Sequence, residues 1–101
     1  MDLTTGLLAL LEAKPGKEAK VQGFLQWARG VAADEPGTRV WYAFRVGDST
    51  FGIFDAFSDE EGREAHLAGQ IPEALGRVGP EFLAGEPDIR PLDILAVKPG
   101  G

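Results

Sequence analysis

The one histidine of the chain, His66, is the side chain whose ordinary pKa, about 6.5, lets it take or give a proton near neutral pH. Gly62 lies four residues before it and Gly69 three residues after, so on a helix all three share one strip. Glycine in a helix interior costs roughly 1 kcal/mol relative to alanine, so two of them beside one imidazole call for a reason. Open space for a ligand around the ring is one, and close approach of a neighbouring backbone is the other. His66 itself is either a functional group or a histidine on a helix surface or dimer contact. Asp55, flanked by Phe54 and Ala56 in an apolar run, is the second residue of interest. Buried and unpaired it would be costly, so it needs a partner, and Arg45 is a candidate for that salt bridge.

The stretch that must position these residues is Ser49 to His66, STFGIFDAFSDEEGREAH, which reads as a strand entering a helix. Ser58 with Glu61 has the capping-box spacing, and Asp59, Glu60 and Glu61 place negative charge where the helix dipole favours it. Before it, Thr38 to Val46 alternates Thr38, Val40, Tyr42, Phe44 and Val46 on one face with Arg39, Trp41, Ala43 and Arg45 on the other. Gly47-Asp48-Ser49 is a tight-turn signal, which makes the two runs an antiparallel hairpin. On its second strand Phe51, Ile53, Asp55 and Phe57 share a face opposite Thr50, Gly52, Phe54 and Ala56.

Upstream, Gly6 to Ala13 is a buried strand stopped by Lys14-Pro15-Gly16. Val21, Phe24, Leu25, Ala28, Val31 and Ala32 then define one face of a helix, bordered by Trp27 and ended by Asp34-Glu35-Pro36-Gly37. Downstream, a helix from Asp59 to about Ala68 is followed by one with Pro72 in its first turn, running to about Leu83, with a kink or break at Gly79-Pro80. Asp88 to Val97 is a last strand, placed at a sheet edge or begun at Leu92 because Pro91 donates no ladder hydrogen bond.

Composition narrows the function classes. A chain of 101 residues is one domain, with its core at about 7 to 97 and a tail at 98 to 101. Sixteen acidic against ten scattered basic side chains give a net charge of −6, which repels a phosphate backbone, so nucleic acid is not an expected partner. With no cysteine and one histidine, disulfides, thiolate chemistry and a conventional zinc site are not expected. No apolar run approaches a membrane span and no secretory signal is visible at the start, which makes the cytoplasm the expected location.

The succession β-α-β-β-α-β implies an α+β, ferredoxin-like antiparallel sheet with helices on one face. Both faces of the hairpin are largely apolar, and a chain this short has no second layer for the face the helices leave open. Two copies packed by those faces would bury it, so a homodimer is expected from the pattern alone.

In this order and spacing the residues resemble the antibiotic biosynthesis monooxygenase family of the dimeric α+β barrel superfamily. The resemblance rests on Ala13-Lys-Pro-Gly-Lys-Glu-Ala-Lys-Val21, on Asp34-Glu-Pro-Gly-Thr38, and on Phe51 through Leu67 with its Phe57-Ser-Asp and Glu64-Ala-His-Leu67. It implies a homodimeric barrel with a cavity in each subunit between sheet and helices. Characterised members include cofactor-free oxygenases of polycyclic phenols or quinols, and haem-degrading enzymes. The haem branch carries an Asn on the first strand and a Trp at the end of the third. This chain has no such Asn, and its third strand ends in Phe57, so neither haem nor another cofactor is expected. The resemblance thus implies a cofactor-independent monooxygenase of a small aromatic quinol or polyketide-type substrate. The alternative is a non-catalytic dimeric barrel that binds a small apolar ligand or serves in assembly.

Such an oxygenation needs a base, a dry aromatic-walled pocket and a donor for the developing oxyanion. His66 is the candidate base or orienting donor, Tyr42 and Arg45 are candidate oxyanion partners, and Trp41, Phe54 and Phe57 are candidate walls for an aromatic ligand. Packing in the core is the simpler role for Trp41 and the phenylalanines. Tyr42 faces opposite to Trp41 and Arg45, so all six line one cavity only with help from a dimer partner or a bulge.

Overall fold

Strand and helix periods materialise close to where the sequence puts them. A computed structural model describes residues 3–98 as β1 (Thr5–Glu12), α1 (Glu18–Ala33), β2 (Thr38–Val46), β3 (Thr50–Phe57), α2 (Glu60–Leu67), α3 (Gln70–Phe82) and β4 (Asp88–Asp93). The strands form one sheet in the order β2-β3-β1-β4, antiparallel at every pairing. This is the expected ferredoxin-like α+β arrangement. Most of the expected tail, 99 to 101, lies outside the described residues.

β1 contains Leu and Ala, which favour strands weakly, yet it sits between β3 and β4 and gains burial from both. Its Leu7 and Leu11 point to the side on which α1 lays Val21, Phe24, Leu25, Ala28 and Ala32. Phe51 and Ile53 of β3 join Leu11 and these α1 residues, as do Ile71, Ala74, Leu75 and Phe82 of α3, in one hydrophobic core. Trp27 borders it, with its ring 5.5 Å from that of Phe24.

The hairpin turns at Gly47, whose φ of 75° suits glycine. On the face away from the helices the Phe44 ring lies across Gly52, where an added Cβ would stand 2.4 Å from the ring.

Three expectations are corrected. A bulge between Thr38 and Val40 pairs Thr38 with Phe57, which turns Thr38 to the helix side and away from the face of Val40. The cap of α2 is Asp59, whose carboxylate accepts from the Gly62 N–H at 2.8 Å; Ser58 lies one residue outside it. Helix α3 begins at Gln70 and holds Pro72 in its first turn, as expected, where a missing N–H is harmless. The helix does not break at Gly79-Pro80 but runs on to Phe82; the proline gives up one N–H bond, to the carbonyl of Gly76, and the helix ends two residues later.

β4 is an edge strand, as Pro91 requires, and it ends at Asp93, short of Val97. Ile94 N–H donates to Thr4. By the two-residue period, Arg90 and Leu92 also direct N–H groups at β1, and the proline nitrogen faces the open edge.

Two glycines decide how close α2 approaches the α1–β2 loop. A Cβ on Gly62 would stand 3.0 Å from the Gly37 carbonyl oxygen and 3.3 Å from its Cα, whereas one on Gly30, in α1, meets nothing within 4 Å. Gly62→Ala is expected to destabilise by about 1–3 kcal/mol through overpacking. Gly30→Ala is expected to stabilise by up to about 1 kcal/mol. Urea denaturation of the two variants checks this opposite sign.

Candidate functional site

His66 is held from two sides. It is buried on the last turn of α2, with its Nδ1 2.7 Å from Oε1 of Glu35 and its Nε2 3.1 Å from Oδ2 of Asp55. Phe57 packs against the ring at a centroid distance of 5.4 Å. Asp55 and Phe57 come from β3, where their spacing of two puts both toward the helices. Glu35 comes from the turn after α1, where its N–H donates to Ala32 and its carbonyl accepts from Thr38. The bulge in β2 brings the Thr38 hydroxyl to donate to Glu35 Oε1 at 2.8 Å, so that carboxylate is oriented as well.

A carboxylate accepts hydrogen bonds, so a ring bonded to one at each nitrogen carries protons on both and is an imidazolium. Burial works to lower the His66 pKa, but the hydrogen bonds and negative charges of Asp55 and Glu35 outweigh it and raise it above its ordinary value of 6.5. In this state the ring has no free lone pair. Of the two roles open to His66, the arrangement fits the orienting donor, and the group left to accept a proton is a carboxylate, Asp55.

Two concavities meet at His66. Inside, an apolar cavity of about 30 Å³ lies between the sheet and α2 and α3, bounded by Leu7, Ile53, Ile71 and Leu75 with Asp55 and His66 on its wall. Outside, an open depression of about 400 Å³ is rimmed by Asp34, Glu35, Asp59 and Glu61 and reaches the other side of His66. Among the described residues no group of three or more His, Asp or Glu side chains is placed to hold a metal ion. Nor is any described helix long and apolar enough to cross a membrane.

Of the candidate residues, Phe57 is brought to His66, and Trp41 stands beside Asp55 in the sheet register. The indole Nε1–H of Trp41 is buried without an acceptor. Three others are not brought there. Arg45 is paired with neither Asp55 nor a helix: it donates to the Asp48 carbonyl at 2.5 Å and lies over Phe51 near the hairpin turn. Tyr42, 63% exposed, and the half-buried Phe54 occupy the face away from the helices. Glu35 and Thr38 went unnoticed in the sequence, because Asp-Glu-Pro-Gly-Thr reads as a solvated turn. Gly62 and Gly69 serve close packing: a Cβ on Gly69 would come within 3.3 Å of two carbonyl oxygens of α2.

The class defined by this sheet and its helices is that of the antibiotic biosynthesis monooxygenase fold. A Caulobacter crescentus CB15 protein described as a "putative antibiotic biosynthesis monooxygenase" superposes with a TM-score of 0.79 at 25% identity, over 93% of this chain and 92% of its own. A Nitrosomonas europaea protein of the same description superposes with a TM-score of 0.81 at 13% identity, over 91% and 99%, which speaks for the fold alone. Much nearer in sequence is the NE2512 protein of Nitrosomonas europaea, of unknown function, at 47% identity over 98% of this chain and 97% of its own, with a TM-score of 0.92. The chain belongs to the family of that protein. No family model and no curated protein matches it.

Removing one member of a buried ion pair strands the other, so Asp55→Ala is expected to cost about 3–5 kcal/mol in chemical denaturation. A raised folded pKa gives a stabilisation present in full below about pH 6.5 and lost as pH rises through the folded value. The stability difference between the parent and His66→Gln should therefore shrink as pH is raised above neutrality. A difference constant across that range would contradict the imidazolium.

Proposed function

We propose that this protein is a cofactor-independent monooxygenase acting on a small aromatic quinol or anthrone-type substrate, with Asp55 as proton acceptor and His66 as its positioning partner. The observation that carries the proposal is the Asp55–His66 pair on the wall of an apolar cavity between sheet and helices, in a fold shared with proteins described as monooxygenases. In such a site Asp55 takes a proton from the activated carbon of the substrate. The resulting carbanion is oxidised by dioxygen, a C–O bond forms, and the hydroperoxide loses water to leave a carbonyl. One oxygen atom thus ends in product and one in water. The imidazolium is the hydrogen-bonded partner of Asp55 in an apolar surround and offers positive charge to the substrate anion. The cavity holds roughly one water-sized molecule as it stands, so substrate entry requires α2 and α3 to move apart at Ala68-Gly69.

A second reading is favoured by that same small volume and by the engagement of both imidazole nitrogens. In it the barrel is non-catalytic, binds a small apolar ligand or serves in assembly, and His66 is a structural link. Oxygen uptake with a panel of anthrones and naphthoquinols separates the two. The oxygenase reading expects protein-dependent uptake that Asp55→Asn lowers by about 10²-fold or more. No uptake across the panel, or full activity of Asp55→Asn, would sink it.

Either reading goes with a homodimer. The sheet face away from the helices carries Leu8, Leu10, Val40, Phe44, Phe54 and Leu92, and no described element covers it. Beyond β4, Leu95 is 93% exposed. Two copies packed by these faces bury that surface. Sedimentation equilibrium at micromolar concentration should find a dimer that Phe54→Glu converts to monomer; a parent chain that sediments as a monomer would contradict the assembly.

A further inference from the structure

Between α1 and the edge strand β2, on the helix side of the sheet, runs a groove of about 480 Å³ that does not include His66. Its apolar lining includes Leu25, Trp41 and Phe51, and its charged lining is Arg29 and Arg45. No carboxylate lines it, although acidic residues outnumber basic ones sixteen to ten in the chain. Among the described residues neither arginine is paired with a carboxylate. Arg45 lies 5.1 Å over the Phe51 ring and is tied to the Asp48 carbonyl, so its guanidinium is held at the end of the groove. Trp41, part of the same lining, keeps a buried indole N–H for which the protein supplies no acceptor.

We propose that this groove is a binding site for a small aromatic carboxylate. The volume suits a one- or two-ring molecule. Trp41, Phe51 and Leu25 give its flat body an apolar surface, and an arginine accepts a carboxylate in the two-point geometry a guanidinium favours. Because Arg45 is already stacked, little side-chain freedom is lost on binding. A neutral aromatic would leave two cations unused, and an inorganic anion would leave the apolar lining unused. The groove includes neither Asp55 nor His66, although Trp41 stands beside Asp55 in the sheet, and the proposal does not rest on oxygenase chemistry.

The test is a titration of the ¹⁵N-labelled full chain with 2-naphthoate, followed at the two indole N–H signals, with Trp27→Phe assigning that of Trp41. A saturable shift of the Trp41 signal is expected. Binding should weaken at least about tenfold in the Arg29→Gln/Arg45→Gln double variant, and as much when the neutral 2-naphthamide replaces the carboxylate in the parent chain. Inorganic phosphate should leave the Trp41 signal unmoved. Both arginines are exposed, so the double variant is expected to keep the parent melting temperature; if it fails to fold, the naphthoate and naphthamide affinities of the parent chain decide. Equal binding of acid and amide, an unchanged double variant, no saturable shift, or a response confined to the His66 ring would each overturn the proposal.

Discussion

The imidazolium of His66 held between Asp55 and Glu35 is the interaction on which the rest of this structure turns. It joins α2 and the strand before it to the turn after α1, which is distant in the chain. Charges in the low-dielectric interior are tolerable only when paired and hydrogen-bonded, and each member of this trio supplies what the others need. Asp55, 2% exposed in an apolar strand, is stable there because a cation meets it. The cation is stable because a second carboxylate, itself fixed by Thr38, closes the other side.

Much of the surrounding backbone can be understood as what lets this contact form. Gly37 and Gly62 bring the loop and the first turn of α2 into backbone contact, Gly69 brings the end of α2 against the turn into α3, and the bulge near Arg39 rotates Thr38 inward. The same contact divides an apolar cavity from an acidic depression, so a proton held on His66 lies between the protein interior and its surface. A positioning group for a buried carboxylate and a structural latch have identical geometry.

The elements were legible because their periods were clean: alternation in the hairpin, a three-to-four spacing in α1, and a proline that consigned β4 to an edge. The need of Asp55 for a partner could also be read from its apolar neighbours. The identity of that partner could not, because Arg45 and His66 are both cations in sequence and only the packing of α2 onto β3 chooses between them. Glu35 was hidden in a turn signal. The cap moved by one residue because Ser58 and Asp59 are both good capping residues, and the tighter fit of Asp59 to the Gly62 N–H is a matter of coordinates. Tyr42, Arg45 and Phe54 were grouped with His66 by chemical type, and strand alternation with distance along the hairpin keeps them apart.

The protonation of the His66 ring tests the account most directly. With one histidine in the chain, a long-range ¹H–¹⁵N correlation spectrum of its imidazole reports both nitrogens without ambiguity. The structure predicts a titration midpoint that lies above 6.5 and falls in Asp55→Asn, with both nitrogens protonated below that midpoint. A midpoint at or below 6.5, or one unchanged in Asp55→Asn, would contradict it.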